Sequence, residues 1–197
     1  GLSVILPMPI LAKRRASADV FVEVYEGILK ESRGPVLLHW LGPMFLEGME
    51  HYFPENSFER VMALDTDRIV GAKISLLDAE REVRLRQSLA PQGQVIYTGD
   101  DFHFTELLAG TGAGVGEYSH ALLGILNAIA RPASQAFQKL ADGDRRGFLD
   151  IMKPCEDLSR HLFQAPTRHY KAGLAFLSWL DGRQANPWLP LRADQSR

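Results

Sequence analysis

Short apolar runs alternate along the chain with longer stretches whose apolar residues recur at helical spacing. Leu2-Ser3-Val4-Ile5-Leu6, Pro35-Val36-Leu37-Leu38-His39-Trp40, residues 69–77 and Gln94-Val95-Ile96-Tyr97-Thr98 predict strands. Residues 19–29, 58–64 and 78–89 predict helices between them. In the last of these, Glu80, Arg81, Glu82, Arg84 and Arg86 read as a solvated face. Residues 121–126 suit a strand or a helix. Beyond Pro132 the pattern is helical, at 133–141, 145–163 and 171–180.

Strand and helix in regular alternation imply parallel strands joined by crossover helices. The strand spacing suits units of a (β/α)8 barrel, but four or five strands cannot close one, and a whole barrel takes ~250 residues. An open doubly wound sheet is the other option, although no G-x-G-x-x-G follows the first strand. The glycine-rich stretch from Gly110 to Gly116 lacks the spacing and Lys-Ser/Thr ending of a phosphate loop, so it reads as a flexible loop. Residues 1–142 are therefore expected to form a partial (β/α)8 barrel, with 143–197 as a helical region packed on it.

Composition narrows the function classes. A formal charge of -2, with acids and bases interspersed, gives no electrostatic footprint for nucleic acid. No apolar run approaches the ~20 residues that span a bilayer. The single cysteine, Cys155, excludes an internal disulfide framework and suits a reducing cytoplasm; its setting predicts a packed structural thiol. The chain opens in mid-element, and is read as part of a longer protein.

In parallel α/β proteins, function gathers where strands end. His39 ends one strand, Lys73 and Ser75 lie within the next, and Thr98, Asp100 and Asp101 close the one after, with His103 and His120 following. Each has an ordinary reading. Lys73 could face solvent, His39 could be a satisfied core histidine, and the aspartates could cap a helix. Their coincidence at successive strand ends favours a site. Two chemistries could use it. A desolvated Lys73 could attack a carbonyl to form an imine, with His39 shuttling protons. Alternatively, His39, Asp100 or Asp101, His103 and His120 could hold a divalent metal, with Lys73 as charge stabiliser.

These residues also carry a resemblance. The chain resembles the C-terminal portion, from strand four onwards, of the dihydrodipicolinate synthase/N-acetylneuraminate lyase superfamily of class I aldolases. It is most similar to a bacterial branch of that superfamily made of domains of unknown function. Pro35-Val36-Leu37-Leu38-His39-Trp40-Leu41-Gly42 resembles the fifth-strand motif P-V-x-L-Y-N-x-P, and Gly71-Ala72-Lys73-Ile74-Ser75 the sixth-strand segment with the Schiff-base lysine. Tyr97-Thr98-Gly99-Asp100-Asp101 resembles the S-G-D-D element after strand seven. Residues 165–174 and Trp188-Leu189-Pro190-Leu191 resemble the C-terminal helical region. Two departures stand out: His39 replaces the family's tyrosine, and no arginine follows in Leu41-Gly42-Pro43-Met44-Phe45, where the synthases bind a second carboxylate.

The resemblance implies a class I, Schiff-base aldolase-like lyase acting on a 2-keto acid or aldehyde, without cofactor or metal. Lys73 would be the nucleophile and His39 the acid/base group, while Thr98, Asp100, Asp101, Ser75 and His103 would bind substrate. A homodimer or homotetramer in the cytoplasm follows by the same analogy. The alternatives are a metal-dependent aldolase or isomerase, and a non-catalytic incomplete barrel whose unpaired edges would drive association.

Overall fold

The computed structural model describes residues 1–112 and 114–189. Ala113, within the glycine-rich stretch, and the Pro190-Leu191 end of the C-terminal motif lie outside the described residues. Strands β1 (Ser3–Ile5), β2 (Val36–Leu41), β3 (Ile69–Ser75), β4 (Val95–Thr98) and β5 (His120–Ala121) form one sheet, all parallel, in chain order. Eight α-helices accompany them among the described residues: α1 (Pro9–Lys13), α2 (Ala18–Glu31), α3 (Ser57–Met62), α4 (Ala79–Leu89), α5 (Phe104–Ala109), α6 (Ala130–Ala141), α7 (Arg145–Leu162) and α8 (Tyr170–Leu180). Chain-order pairing has no reversal of strand order, the crevice-forming feature of doubly wound sheets. The arrangement is consistent with a partial α/β barrel.

Strand periodicity decides which residues meet the helices. Val36, Leu38 and Trp40 of β2, Ala72 and Ile74 of β3 and Ile96 of β4 point to one face. There they pack against Phe21, Tyr25 and Leu29 of α2, Phe58 and Val61 of α3, and Leu85 and Leu89 of α4. The segment between β2 and α3 wedges Tyr52 and Phe53 into this core. The Tyr25 and Tyr52 hydroxyls share a 2.7 Å hydrogen bond there, which satisfies two buried polar groups at once.

A second core joins the far end of the sheet to the helices that follow. Phe104 and Leu108 of α5 and Leu123 and Ile125 after β5 pack with Ala133 and Ala136 of α6 and Phe148, Met152 and Cys155 of α7. This core runs across residue 142. Cys155 is buried in it as a free thiol. No described helix is long and apolar enough to cross a membrane.

Three local expectations change. β3 stops at Ser75 rather than residue 77: Leu77 takes φ +54°, turning the chain into Asp78, whose Oδ1 accepts from the Arg81 amide at 3.0 Å as the N-cap of α4. Residues 121–126 are neither strand nor α-helix throughout. A two-residue β5 gives way to a 3-10 turn at Gly124–Asn127. Finally, the charge run of α4 is not wholly wet. Glu82 and Arg86 are only 1% and 3% exposed, because their i, i+4 spacing turns both towards β4, α5 and Ser119.

Candidate active site

A register shift between Val36 and Leu37 sets the site. Past it, His39 of β2 pairs with Lys73 of β3, Lys73 with Tyr97 of β4, and Tyr97 with His120 of β5. Directly paired residues of parallel strands share a face, so these four form one row across the sheet. The row lies on the face opposite the helix-packed core, and all four residues are half-buried. Ser75, two residues beyond Lys73, shares that face, and its Oγ lies 3.1 Å from His39 Nε2.

Lys73 occupies the middle of the row. Its stem runs over Gly99: a Cβ there would sit 2.8 Å from Lys73 Cε and closer still to Ser75 Oγ. Glycine is therefore required for the lysine to lie where it does. Among the described residues, the ammonium has no ion pair and no hydrogen bond. Burial lowers its pKa from the usual lysine range, with the Asp101 charge opposing. Burial, and then the Lys73 charge, hold His39 down to about 4. At neutral pH this imidazole is uncharged, and its bond to Ser75 fixes its orientation.

The two aspartates after β4 separate into different roles. Asp100 is tied locally: Oδ1 accepts from the Phe102 and His103 amides at 2.9 and 3.1 Å, and Oδ2 lies 2.8 Å from His103 Nδ1. Asp101 instead accepts from the Ile125 amide at 3.0 Å, docking the 3-10 turn after β5. Burial raises its carboxyl to about 7. The Ile125 amide and Lys73 pull the other way. A carboxyl poised near neutrality in the field of a desolvated lysine suits proton transfer.

Thr98 lies on the other face. Its hydroxyl donates to Glu82 Oε2 at 3.0 Å and accepts from the Asp100 amide at 3.1 Å. Ser119 Oγ donates to the other Glu82 oxygen at 2.7 Å, and Arg86 Nη1 donates to Ser119 Oγ at 3.3 Å. Burial raises Glu82 to about 7 despite these donors. Thr98 thus braces the strand end from behind. The structure brings together Lys73, His39, Ser75 and Asp101, ties Asp100 and His103 to each other at the end of β4, and turns Thr98 to the opposite face. Among the described residues, no three His, Cys, Asp or Glu side chains assemble as metal ligands.

One group escaped the sequence reading. Tyr170, at the start of α8, stacks on Phe163 with ring centroids 4.3 Å apart, and Phe45 from the loop after β2 meets both rings edge-on. Its ring edge abuts Gly124, where a Cβ would stand 3.1 Å from Tyr170 Cε2. Burial, and then the Asp101 charge, raise its phenol pKa. The helical region thus brings a phenol into the field of Asp101 from 69 residues further along the chain, at the start of α8, where no motif spacing marks it. Tyr97 and His120 complete the row with rings 5.1 Å apart.

No curated protein matches this chain. A family model described as "Protein of unknown function (DUF993)" matches residues 1–196, which is nearly the whole sequence. The chain therefore belongs to the DUF993 family.

Proposed function

We propose that this chain carries the lysine half of a Schiff-base site acting on a 2-keto acid or aldehyde, in a lyase of the class I aldolase type. The observation that carries the reading is Lys73 itself. Its amine is desolvated, unpaired among the described residues and seated over Gly99, with Asp101 as the charge that acts on it. Burial favours the free amine, the form that attacks a carbonyl carbon.

The side chains of the site supply the proton transfers that imine formation needs. The amine adds to the carbonyl to give a carbinolamine. Loss of its hydroxyl as water needs a proton, which the carboxyl of Asp101 supplies, leaving the protonated imine and the Asp101 carboxylate. His39, neutral and held by Ser75, accepts a proton from the substrate carbon or hydroxyl in the bond-making or bond-breaking step. The Ile125 amide, at 3.0 Å, orients that carboxyl.

The five parallel strands in chain order support reading the sheet as strands four to eight of a (β/α)8 barrel, with α7 and α8 as additional helices. On that reading Lys73 lies in the sixth strand, where the dihydrodipicolinate synthase/N-acetylneuraminate lyase superfamily has its imine-forming lysine. His39 stands in for that superfamily's tyrosine. Reductive trapping of a 2-keto acid on Lys73 tests the proposal.

A further inference from the structure

A groove of about 620 Å³ lies between α4, α5 and α7, lined in part by Arg86 and His103. Val83 and Leu107 give it an apolar floor, and Arg84, Arg86, Arg145 and Arg160 line it with guanidinium groups. Three of those groups are already matched. Arg84 lies 3.8 Å from Glu80, Arg145 bonds Glu106 at 3.0 Å, and Arg160 bonds Glu156 at 3.0 Å. Glu156 has its other oxygen occupied by the Thr105 amide at 2.8 Å.

Arg86 is the exception. It is 97% buried, yet it makes no ion pair among the described residues. Its Nη1 donates to the Leu107 carbonyl at 3.2 Å and to Ser119 Oγ at 3.3 Å. Nε has no partner, and Nη2 makes no hydrogen bond among the described residues. A buried guanidinium with no carboxylate in ion-pair reach is costly; Glu82 and Glu117 attract it only at longer range, and Nη2 is the nitrogen left free to grip an anion. Glu82, the nearest buried acid, has both oxygens turned to Thr98 and Ser119.

We propose that this groove binds a small organic anion with an apolar body, its carboxylate on Nη2 of Arg86 and its body over Val83 and Leu107. The local charge favours such a ligand over a neutral one, because every lining carboxylate is spent on another arginine while Arg86 is not. Occupancy would be felt at the end of β4. His103, on the groove wall, holds Asp100 through Nδ1, and Asp100 adjoins both Gly99 and Asp101.

The test is a titration of the intact protein with 2-naphthoate and, separately, with the neutral 2-naphthamide, followed by backbone amide NMR. Naphthoate is expected to shift amides of residues 83–87 and 106–110 saturably, and to bind about tenfold or more tightly than the amide. Arg86→Lys keeps the charge but loses the planar guanidinium and its Nη2, and should weaken naphthoate about tenfold. Because Arg86 also ties Leu107 to Ser119, Val83→Trp is the second variant: it fills the groove from a half-buried position and should abolish the shifts. Equal affinity for the two probes, no shifts at millimolar naphthoate, or binding unchanged in both variants would overturn the site. Repeating the titration on Lys73→Met separates this inference from the Schiff-base reading, since groove binding should survive that change.

Discussion

The stem of Lys73 lies across Gly99, with Lys73 Cε 2.8 Å from where a Cβ on residue 99 would stand. The Gly99 amide is fixed in turn by the Ile74 carbonyl at 2.7 Å, so the backbone beneath the lysine cannot easily retreat. A contact between adjacent strands therefore sets the position of the amine.

Gly99→Ala should displace both the Lys73 stem and the Ser75 hydroxyl. Overpacking of this kind costs about 1–3 kcal/mol. Chemical denaturation is expected to show a folded protein weakened by that amount, while imine trapping at Lys73 falls at least several-fold. Unchanged trapping would mean that the lysine reaches its carbonyl by another route.

Imine formation should have a bell-shaped pH dependence whose maximum lies below the alkaline range of an ordinary lysine. The amine must be unprotonated, and burial lowers its pKa. The Asp101 carboxyl, raised to about 7, must be protonated. Because the two groups interact, the limbs belong to the pair. Asp101→Asn should flatten the alkaline limb and slow trapping by about 10²–10⁴-fold. Initial trapping rates across pH for both proteins check this.

Glu82 makes stability depend on pH in a defined direction. Its carboxyl titrates near 4.5 when unfolded and about 7 when folded, so between those values the folded state binds more protons. Its contribution therefore falls as pH rises from about 4.5 to 7. Glu82→Gln removes that term. The melting temperature of the variant, relative to the parent, should climb across the same window, and a flat difference would contradict the assignment.

Thr98→Val keeps the shape but leaves Glu82 without one donor and the Asp100 amide without its acceptor. Leaving buried polar groups unpaired costs about 1–3 kcal/mol. The loss should appear in urea denaturation.

The strands and most helices were legible because apolar residues recur with period two in one and near 3.6 in the other. His39 and Asp101 were legible as polar residues at strand ends, and Lys73 as a charge inside an apolar strand. Their pairing was not, because the shift between Val36 and Leu37 moves the β2–β3 register by one residue and no local pattern announces it. Thr98 reads as a strand-end residue beside Asp100, and which face its hydroxyl takes depends on the strand alternation that turns it to Glu82 of α4. Glu82 and Arg86 read as surface charge because helical spacing gives a face but not what covers it; Ser119, 37 residues beyond Glu82, supplies the cover. Tyr170 was invisible for the same reason: its place against Phe163 and Gly124 depends on how α8 packs.

The central claim is that Lys73 forms an imine. Its most direct measurement is borohydride reduction of the intact protein with pyruvate and a panel of other 2-keto acids and aldehydes, followed by peptide mass spectrometry. The account predicts a reduced adduct on the peptide containing Lys73, lost in Lys73→Met. No adduct across the panel, or adducts spread over exposed lysines such as Lys13 and Lys30 with Lys73 unmodified, would contradict it.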